Sequence, residues 1–357
     1  MANGAHGEPG ADLDRTNARL LRFFPELWRE LGGNPVRVGD FSGVAASDPE
    51  NIFFTYRKVS EALEIAAREL NCRDFGMRLA AKQEGTGIFG PLGRAMRSSR
   101  TFGEALSYAG AHVYAHSLAA KLTLDSLPGD EGVFAGHQLL LEGAPAHPQL
   151  IEQMMLLGHL GALRMTGGLS RARRVEFRHR PISPLATYRR HFGCDVIFEG
   201  NRDGMVFWQR DLAYPVIGSD AGSFQDAVAF IDANFSVQRP PLHAEVRGMV
   251  MRFLWNGECS NSDVANALNI HARTLHRRLT EHGTSFQKLK DEVRRDLLLY
   301  YLGRTNLECG HISERLGFAE QSVLTKTCRR WLGMSPITVR KKLHTSGFLS
   351  EKVNSID

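Results

Sequence analysis

The sequence has no apolar run that approaches the roughly 18 residues a helix needs to cross a bilayer. Residues 1–14 contain no apolar core of the kind that a secretory signal requires. Both absences predict a cytoplasmic protein with no membrane partner.

Cysteine is scarce and scattered. The five cysteines form no CxxC pair, and their odd number argues against a disulfide framework or a zinc site. We therefore expect them to be packing residues, and we predict no metal and no other cofactor.

The chain also lacks a local motif that would assemble a nucleophile, a base and an orienting group. Residues 85–90 read GTGIFG, but no apolar strand and no acidic ribose ligand stand at the distances a dinucleotide site needs. We predict that the protein is not an enzyme.

Charge is unevenly divided along the chain. Residues 241–344 contain 17 Lys and Arg against 10 Asp and Glu, a balance of +7, whereas the whole chain carries +5. The remaining residues therefore sum to −2. A basic carboxy-terminal part in a chain whose remainder is slightly acidic is typical of a nucleic-acid-binding module joined to a domain with a different function.

Two stretches of this basic part share a sequence pattern that predicts a helix, a tight turn and a second helix. The first covers residues 263–279, with Ser260 and Ser262 placed to cap its first helix. The second covers residues 310–331, with Gly317 at its turn.

The two copies can be aligned with each other. Leu268 falls on Leu316 and Ile270 on Phe318, an offset of about 48 residues that indicates a duplicated unit. The sequence therefore predicts two tandem helix-turn-helix units.

Helical spacing leaves polar and cationic side chains outward on the second helix of each unit. Arg can donate two hydrogen bonds to guanine, Gln can form two with adenine, and Ser or Thr can bond to either base. The alternative, that these are only the solvated faces of amphipathic helices, is weakened by the second copy. We predict DNA contacts for Arg273, His276, Arg277, Gln321, Ser322, Thr325, Lys326, Arg329, Lys341 and Lys342.

Three runs carry a resemblance: LHRRL at 275–279, ISERLGF at 312–318 and RWLGMSP at 330–336. They closely resemble the AraC/XylS family of bacterial transcription regulators. Asn269 departs from the family, which often has Gly there, but Asn tolerates the left-handed backbone conformation. The resemblance implies promoter DNA and RNA polymerase as partners.

Apolar periodicity predicts mixed α and β structure in the first 215 residues. Helices are expected at 14–31, 55–71, 148–166 and 185–192, with another after Thr101, and strands at 118–124, 133–141, 173–178, 196–198 and 205–208. The strands at 118–124 and 133–141 are expected to form a hairpin.

The amino-terminal part carries a resemblance of its own, in DFGMRL at 74–79, SSRTFGEAL at 98–106 and YRRHFG at 188–193. These runs resemble the arabinose-binding-type domain found in a subset of AraC/XylS regulators. We therefore expect an α+β sensory domain followed by an all-α DNA-binding domain with two tandem helix-turn-helix units.

Three segments follow from these patterns. We expect a ligand-sensing and dimerisation domain at 14–215, a linker at 216–242 that holds a short helical run at 224–230, and the DNA-binding domain at 243–345. Pro240 and Pro241 interrupt any helix at the end of the linker.

Two groups of residues are candidates for small ligands. A pocket could be lined by His137, Met154, Met155, His159 and Trp208, although Met commonly fills core gaps. A basic cluster at 171–180 could bind an anion, but a charged strand edge is the stronger interpretation.

We therefore predict a homodimeric transcription regulator, an activator controlled by a small-molecule effector. The alternative is a constitutive architectural DNA-binding protein whose amino-terminal domain serves only for assembly, and a closed, dry pocket would favour it.

Overall fold

The computed structural model describes residues 13–33, 52–127, 129–141, 148–235, 240–254 and 259–345. We use "amino-terminal region" for residues 13–235 and "carboxy-terminal region" for residues 240–345. The amino-terminal region combines helices with two sheets, and the carboxy-terminal region is helical in its described residues.

A five-stranded sheet forms one layer of the amino-terminal region. Its strand order is β3-β4-β7-β5-β6, and every neighbouring pair is antiparallel except β5 and β6. Strands β1 and β2 form a separate antiparallel pair. The strands are β1 (Arg15–Asn17), β2 (Phe53–Thr55), β3 (Ala120–Ser126), β4 (Gly132–Leu139), β5 (Arg174–Glu176), β6 (Asp195–Ile197) and β7 (Asp203–Trp208).

Helices cover the rest of this region. Thr55 and Thr101 each cap a helix, since their side chains accept hydrogen bonds from backbone N–H groups three residues on. The helices are α1 (Phe24–Glu30), α2 (Tyr56–Glu69), α3 (Phe75–Gln83), α4 (Gly90–Ser98), α5 (Phe102–His112), α6 (Pro148–Met165), α7 (Leu185–Phe192) and α8 (Ala221–Phe235).

The hairpin of β3 and β4 is confirmed, with Leu124 opposite Ala135. The last two predicted strands exist as β6 and β7, but they do not pair with each other. Strand β5 lies between them, because β7 pairs antiparallel with β5 and β6 pairs parallel with it.

The single helix predicted at 14–31 is wrong in its first half. The chain there forms β1, a short 3-10 helix at Ala18–Leu21, and only then α1. Pro25 explains the break, because a proline has no N–H to donate and forces α1 to begin beside it. The apolar residues of the pattern, Leu20 and Trp28 among them, are nevertheless buried.

Helix α8 is longer than the predicted run at 224–230. Its buried residues Ala227 and Ile231 pack with Ala95 of α4 and Ala115. Helix α8 therefore packs along one side against α4 and the residues around Ala115.

The carboxy-terminal region has an apolar core of its own. Its helices are α9 (Leu242–Leu254), α10 (Asn261–Ala267), α11 (Ala272–Glu281), α12 (Phe286–Arg304), α13 (Cys309–Arg315), α14 (Gln321–Leu332) and α15 (Pro336–Thr345). Helices α10 and α11 form the first helix-turn-helix unit, α13 and α14 the second, and α12 joins them.

Candidate nucleic-acid interface

The first unit begins with a reciprocal cap. The backbone N–H of Asp263 donates to the Ser260 hydroxyl over 3.1 Å, and the backbone N–H of Ser260 donates to the Asp263 carboxylate over 2.8 Å. This capping box satisfies two backbone donors that a helix end otherwise leaves free. Of the two serines expected as caps, Ser260 is the cap and Ser262 lies inside the helix.

The turns of the two units have the same backbone geometry. Asn269 has φ +53° and Gly317 has φ +63°, so both adopt the left-handed conformation. The following N–H groups, of Ile270 and Phe318, each donate over 3.0 Å to the carbonyl five residues back. The two turns therefore share the backbone conformation and the hydrogen bond that a duplicated unit requires.

Apolar anchors fix the second helix of each unit. Leu275 and Leu279 of α11 are fully buried, as are Leu324 and Cys328 of α14. In the first helices Leu316 is buried, whereas Leu268 is half-buried. Because the anchors fill one side of α11 and α14, the opposite side faces outward.

The residues predicted to contact DNA lie on that outward side or on α15. All are exposed except Thr325, which is half-buried and donates its hydroxyl to the carbonyl of Gln321 over 3.0 Å. Arg277 pairs with Glu281 at 2.5 Å, with both side chains more than half exposed. The exposed residues are Arg273, His276 and Arg277 on α11, Gln321, Ser322, Lys326 and Arg329 on α14, and Lys341 and Lys342 on α15.

Arg294 of α12 sets the position of the second unit. Its Nε donates to the carbonyl of Leu316 over 2.9 Å and its Nη2 to the carbonyl of Gly317 over 2.7 Å. These carbonyls end α13, where a helix leaves acceptors without intrahelical partners. The sequence alone did not predict this role of Arg294, because nothing local connects it with a turn 22 residues away.

The five candidates for a ligand pocket do not surround one space. On the antiparallel pair of β4 and β7, His137 lies opposite Asp203 and Trp208 opposite Gly132. His137 and Trp208 are thus at opposite ends of the pair, roughly 17 Å apart at 3.3 Å per residue. Met154, Met155 and His159 are buried on α6, where His159 packs edge-on against Phe192.

Three of the five arginines in residues 171–180 are engaged in ion pairs with carboxylates of the amino-terminal region. Arg173 pairs with Asp130 and Arg174 with Glu176. Arg178 lies deeper and binds both oxygens of Asp203, at 2.9 Å from its backbone N–H and 2.7 Å from Nε. Its guanidinium also lies 4.8 Å from the ring centre of Tyr300 on α12.

Arg178 marks a contact between the two regions that local patterns did not predict. The N–H of Arg180 donates to the carbonyl of Arg304 over 3.0 Å, and Nη1 of Arg315 donates to the carbonyl of Gly200 over 3.1 Å. Arg252 of α9 forms an ion pair with Asp125 of β3. The contact therefore involves α9, the end of α12 and the first helix of the second unit.

A cavity of about 50 Å³ lies within this contact. Of the five pocket candidates only His137 lines it, together with His179 and with Arg247 of α9. Burial lowers the pKa of both histidines to about 4, so both are neutral near pH 7.

Two kinds of feature are missing from the described residues. None of their helices combines the length and the apolar character that crossing a membrane demands. Nor do they contain a group of three or more His, Cys, Asp or Glu that could hold a metal ion.

Comparison with known proteins agrees with both halves of the structure. Residues 32–216 match the family model described as the arabinose-binding domain of AraC transcription regulator, N-terminal, and residues 264–342 match a helix-turn-helix domain.

Two curated relatives are similar over most of the chain. The HTH-type transcriptional regulator VirS of Mycobacterium tuberculosis is 32% identical over 345 residues, which cover 95% of this chain and 99% of VirS. The ornithine utilization regulator of Pseudomonas aeruginosa is 27% identical over 256 residues, covering 71% of this chain and 74% of that protein. Both are named as regulators rather than enzymes. The chain belongs to the AraC-type transcription regulators, with an arabinose-binding-type amino-terminal domain and a DNA-binding helix-turn-helix region.

Proposed function

We propose that this protein is a sequence-specific transcription activator that reads promoter DNA with α11 and α14 and is controlled by a small-molecule effector. The observation that carries the proposal is that buried anchors on one side of α11 and α14 leave Arg277 exposed in the middle of α11 and Gln321 exposed at the start of α14. Arg and Gln each make two hydrogen bonds to one base, guanine and adenine respectively.

The spacing of the two units supports reading by both. Helix α12 has 19 residues and therefore spans about 28 Å at 1.5 Å per residue. Successive major-groove faces on one side of DNA are about 34 Å apart, a difference that a tilt or a bend in the DNA can supply. One protomer then covers about two turns of DNA.

Selection from a random DNA pool with the full-length chain, followed by footprinting, tests this reading. We expect one consensus site with two adjacent protected groove segments per protomer. Protection of a single segment would remove α11 or α14 from the interface.

We further propose that residues 14–215 sense the effector and that residues 216–242 link them to the DNA-binding domain at 243–345. The protein acts in the cytoplasm as a homodimer and contacts RNA polymerase. One DNA-binding domain with a charge of about +7 binds weakly, whereas linking two raises the local concentration to about millimolar and strengthens binding by ~10²–10⁴. Ultracentrifugation on and off DNA tests the dimer. A full-length chain that stays monomeric on DNA and binds no better than residues 242–357 contradicts it.

The architectural alternative has one observation in its favour. The cavity of about 50 Å³ between the regions is far smaller than the ~300–1,000 Å³ of an ordinary effector pocket. An architectural protein would select no consensus in the same experiment, so the two functions are separated directly.

A further inference from the structure

The cavity between the two regions contains donors that lack acceptors. Arg247 is only 2% exposed, and its Nη2 pairs with Asp296. Its Nε and Nη1 are buried and have no hydrogen-bond partner among the described residues. Both ring nitrogens of His137 are likewise buried and unpaired within the described part of the chain.

Such an arrangement is unfavourable unless the cavity holds a hydrogen-bond acceptor. A buried guanidinium N–H without an acceptor loses its hydration and gains nothing in return. A guanidinium has only hydrogen-bond donors, so these N–H groups can be satisfied only by an acceptor. The site therefore needs an oxygen acceptor, and an anionic oxygen forms the stronger hydrogen bond with a charged donor.

The remaining walls limit what that acceptor can belong to. Leu139, Ile151, Met251 and Leu297 line the same cavity, so part of the ligand is apolar. One water needs at least ~10–15 Å³ on this scale, so about 50 Å³ admits on the order of three to five water-sized groups. Asp296 also faces the cavity, which favours a single negative charge over two.

We propose that this cavity binds a short-chain monocarboxylate, whose oxygens accept hydrogen bonds from Arg247 and His137 and whose alkyl group lies against Ile151 and Leu297. The assignment rests on the proposed function, since it supplies the effector class for the same regulator. It differs from the pocket expected from the sequence, because half of the site belongs to the DNA-binding domain.

The location gives the ligand a regulatory consequence. Arg247 and Met251 belong to α9 and Leu297 to α12, whereas His137 and Ile151 belong to the amino-terminal region. A ligand that needs both sets of residues binds only when the regions are docked, so it shifts the equilibrium toward the docked arrangement. This arrangement also holds Arg315 of the second helix-turn-helix unit against Gly200.

Isothermal titration of the full-length chain tests the site, with propionate as the probe. Acetate, octanoate and inorganic phosphate serve as comparisons at constant ionic strength. We expect saturable binding of propionate and acetate, and none of octanoate, which is too long for the cavity. Phosphate binding equal to that of propionate would contradict the monocarboxylate assignment.

The decisive variant is Arg247→Met, which we expect to weaken propionate binding by about tenfold or more through loss of a charge-assisted hydrogen bond. Arg278→Met is the control, because it removes an exposed arginine of α11 that does not line the cavity. It should bind propionate like the unchanged protein. No saturable binding, or equal binding by Arg247→Met, overturns the site.

A second variant covers the possibility that Arg247→Met does not fold. Ile151→Phe fills the cavity without altering a charge and should abolish propionate binding by itself. Unchanged binding in this variant also overturns the proposal. Each protein is tested on the selected DNA site in parallel. Specific DNA binding without propionate binding rejects only the ligand site, whereas loss of specific DNA binding by the unchanged chain rejects the proposed function.

Discussion

The amino-terminal and carboxy-terminal regions differ in where they keep their polar side chains. The amino-terminal region buries His116, His137, His159 and His179, and it hides Glu152, which accepts a 2.6 Å hydrogen bond from the Tyr188 hydroxyl. The carboxy-terminal region has an apolar core and exposes most of its arginines and lysines. Buried polar groups suit specific recognition of a small molecule, and exposed charge suits contact with phosphates.

Because of this contrast, the two regions differ in their sensitivity to pH and to substitutions on their surfaces. A buried histidine must remain neutral, so the stability of the amino-terminal region depends on pH. The carboxy-terminal region depends on apolar contact, and its polar surface can change without loss of the fold. The one large exception is Arg247, which is buried where the two regions meet.

Acid should destabilise the amino-terminal region, and we expect this loss of unfolding free energy to exceed the effect of any single substitution described below. Burial lowers the pKa of His116 to about 3 and of His137, His159 and His179 to about 4, against about 6.5 in an unfolded chain. Below pH ~6.5 these histidines bind protons in the unfolded chain but stay neutral in the folded chain, so stability falls as the pH drops toward 4. At about 1.4 kcal/mol per pKa unit, four histidines over about 1.5 pH units give a loss by pH 5 on the order of 8 kcal/mol.

Glu152 acts in the opposite direction, because burial raises its pKa and its penalty is relieved as the pH falls. The single carboxyl group of Glu152 offsets only part of the stability that the four histidines lose as the pH falls. Pulse proteolysis in urea at pH 7 and pH 5, with the cut sites identified by mass spectrometry, measures the difference. Cleavage that begins in α9 to α15 at pH 5 would break the comparison between the regions.

Removal of an apolar anchor from the carboxy-terminal region should have the next largest effect. Leu275→Ala and Leu324→Ala each leave a cavity at a fully buried position and should cost about 2–5 kcal/mol of unfolding free energy. Urea unfolding at pH 7 measures the loss. Leu169→Ala is the control, since Leu169 is 60% exposed and should change stability by less than about 0.5 kcal/mol.

The exposed face of α11 and α14 should affect DNA binding without affecting stability. Arg277→Ala or Gln321→Ala should cost about 1–3 kcal/mol on the selected site and relax the preference at one base position. Arg278→Ala is the matched control, because Arg278 is exposed on α11 but flanks the predicted reading face. Equal losses on specific and random DNA for Arg277→Ala would reassign that side chain to the DNA backbone.

The smallest effect should come from α15. Lys341→Ala and Lys342→Ala should weaken binding to all sequences alike, because a lysine that contacts a phosphate releases a counterion and reads no base. The slope of log K against log salt should fall by about 0.9 for each lysine removed. An unchanged slope would place α15 away from the DNA.

Much of the carboxy-terminal region could be predicted because its signals are local. Asn269 and Gly317 mark turns, Ser260 marks a helix start, and apolar residues repeat at helical spacing within a few residues of one another. The outward faces of α11 and α14 follow directly from these. The error at residues 14–31 shows the limit, since Pro25 outweighed an apolar pattern that suited one helix.

The sequence by itself determined two helix-turn-helix units, their apolar anchors and their exposed cations, because each depends on contacts between residues close in the chain. The tertiary structure alone decided that β5 lies between β6 and β7, that Arg178 contacts Tyr300 and that Arg247 faces the same cavity as His137. These contacts join residues about 20 to 120 positions apart, where no helical or strand period operates. They form only when apolar burial brings separately patterned segments of the chain together.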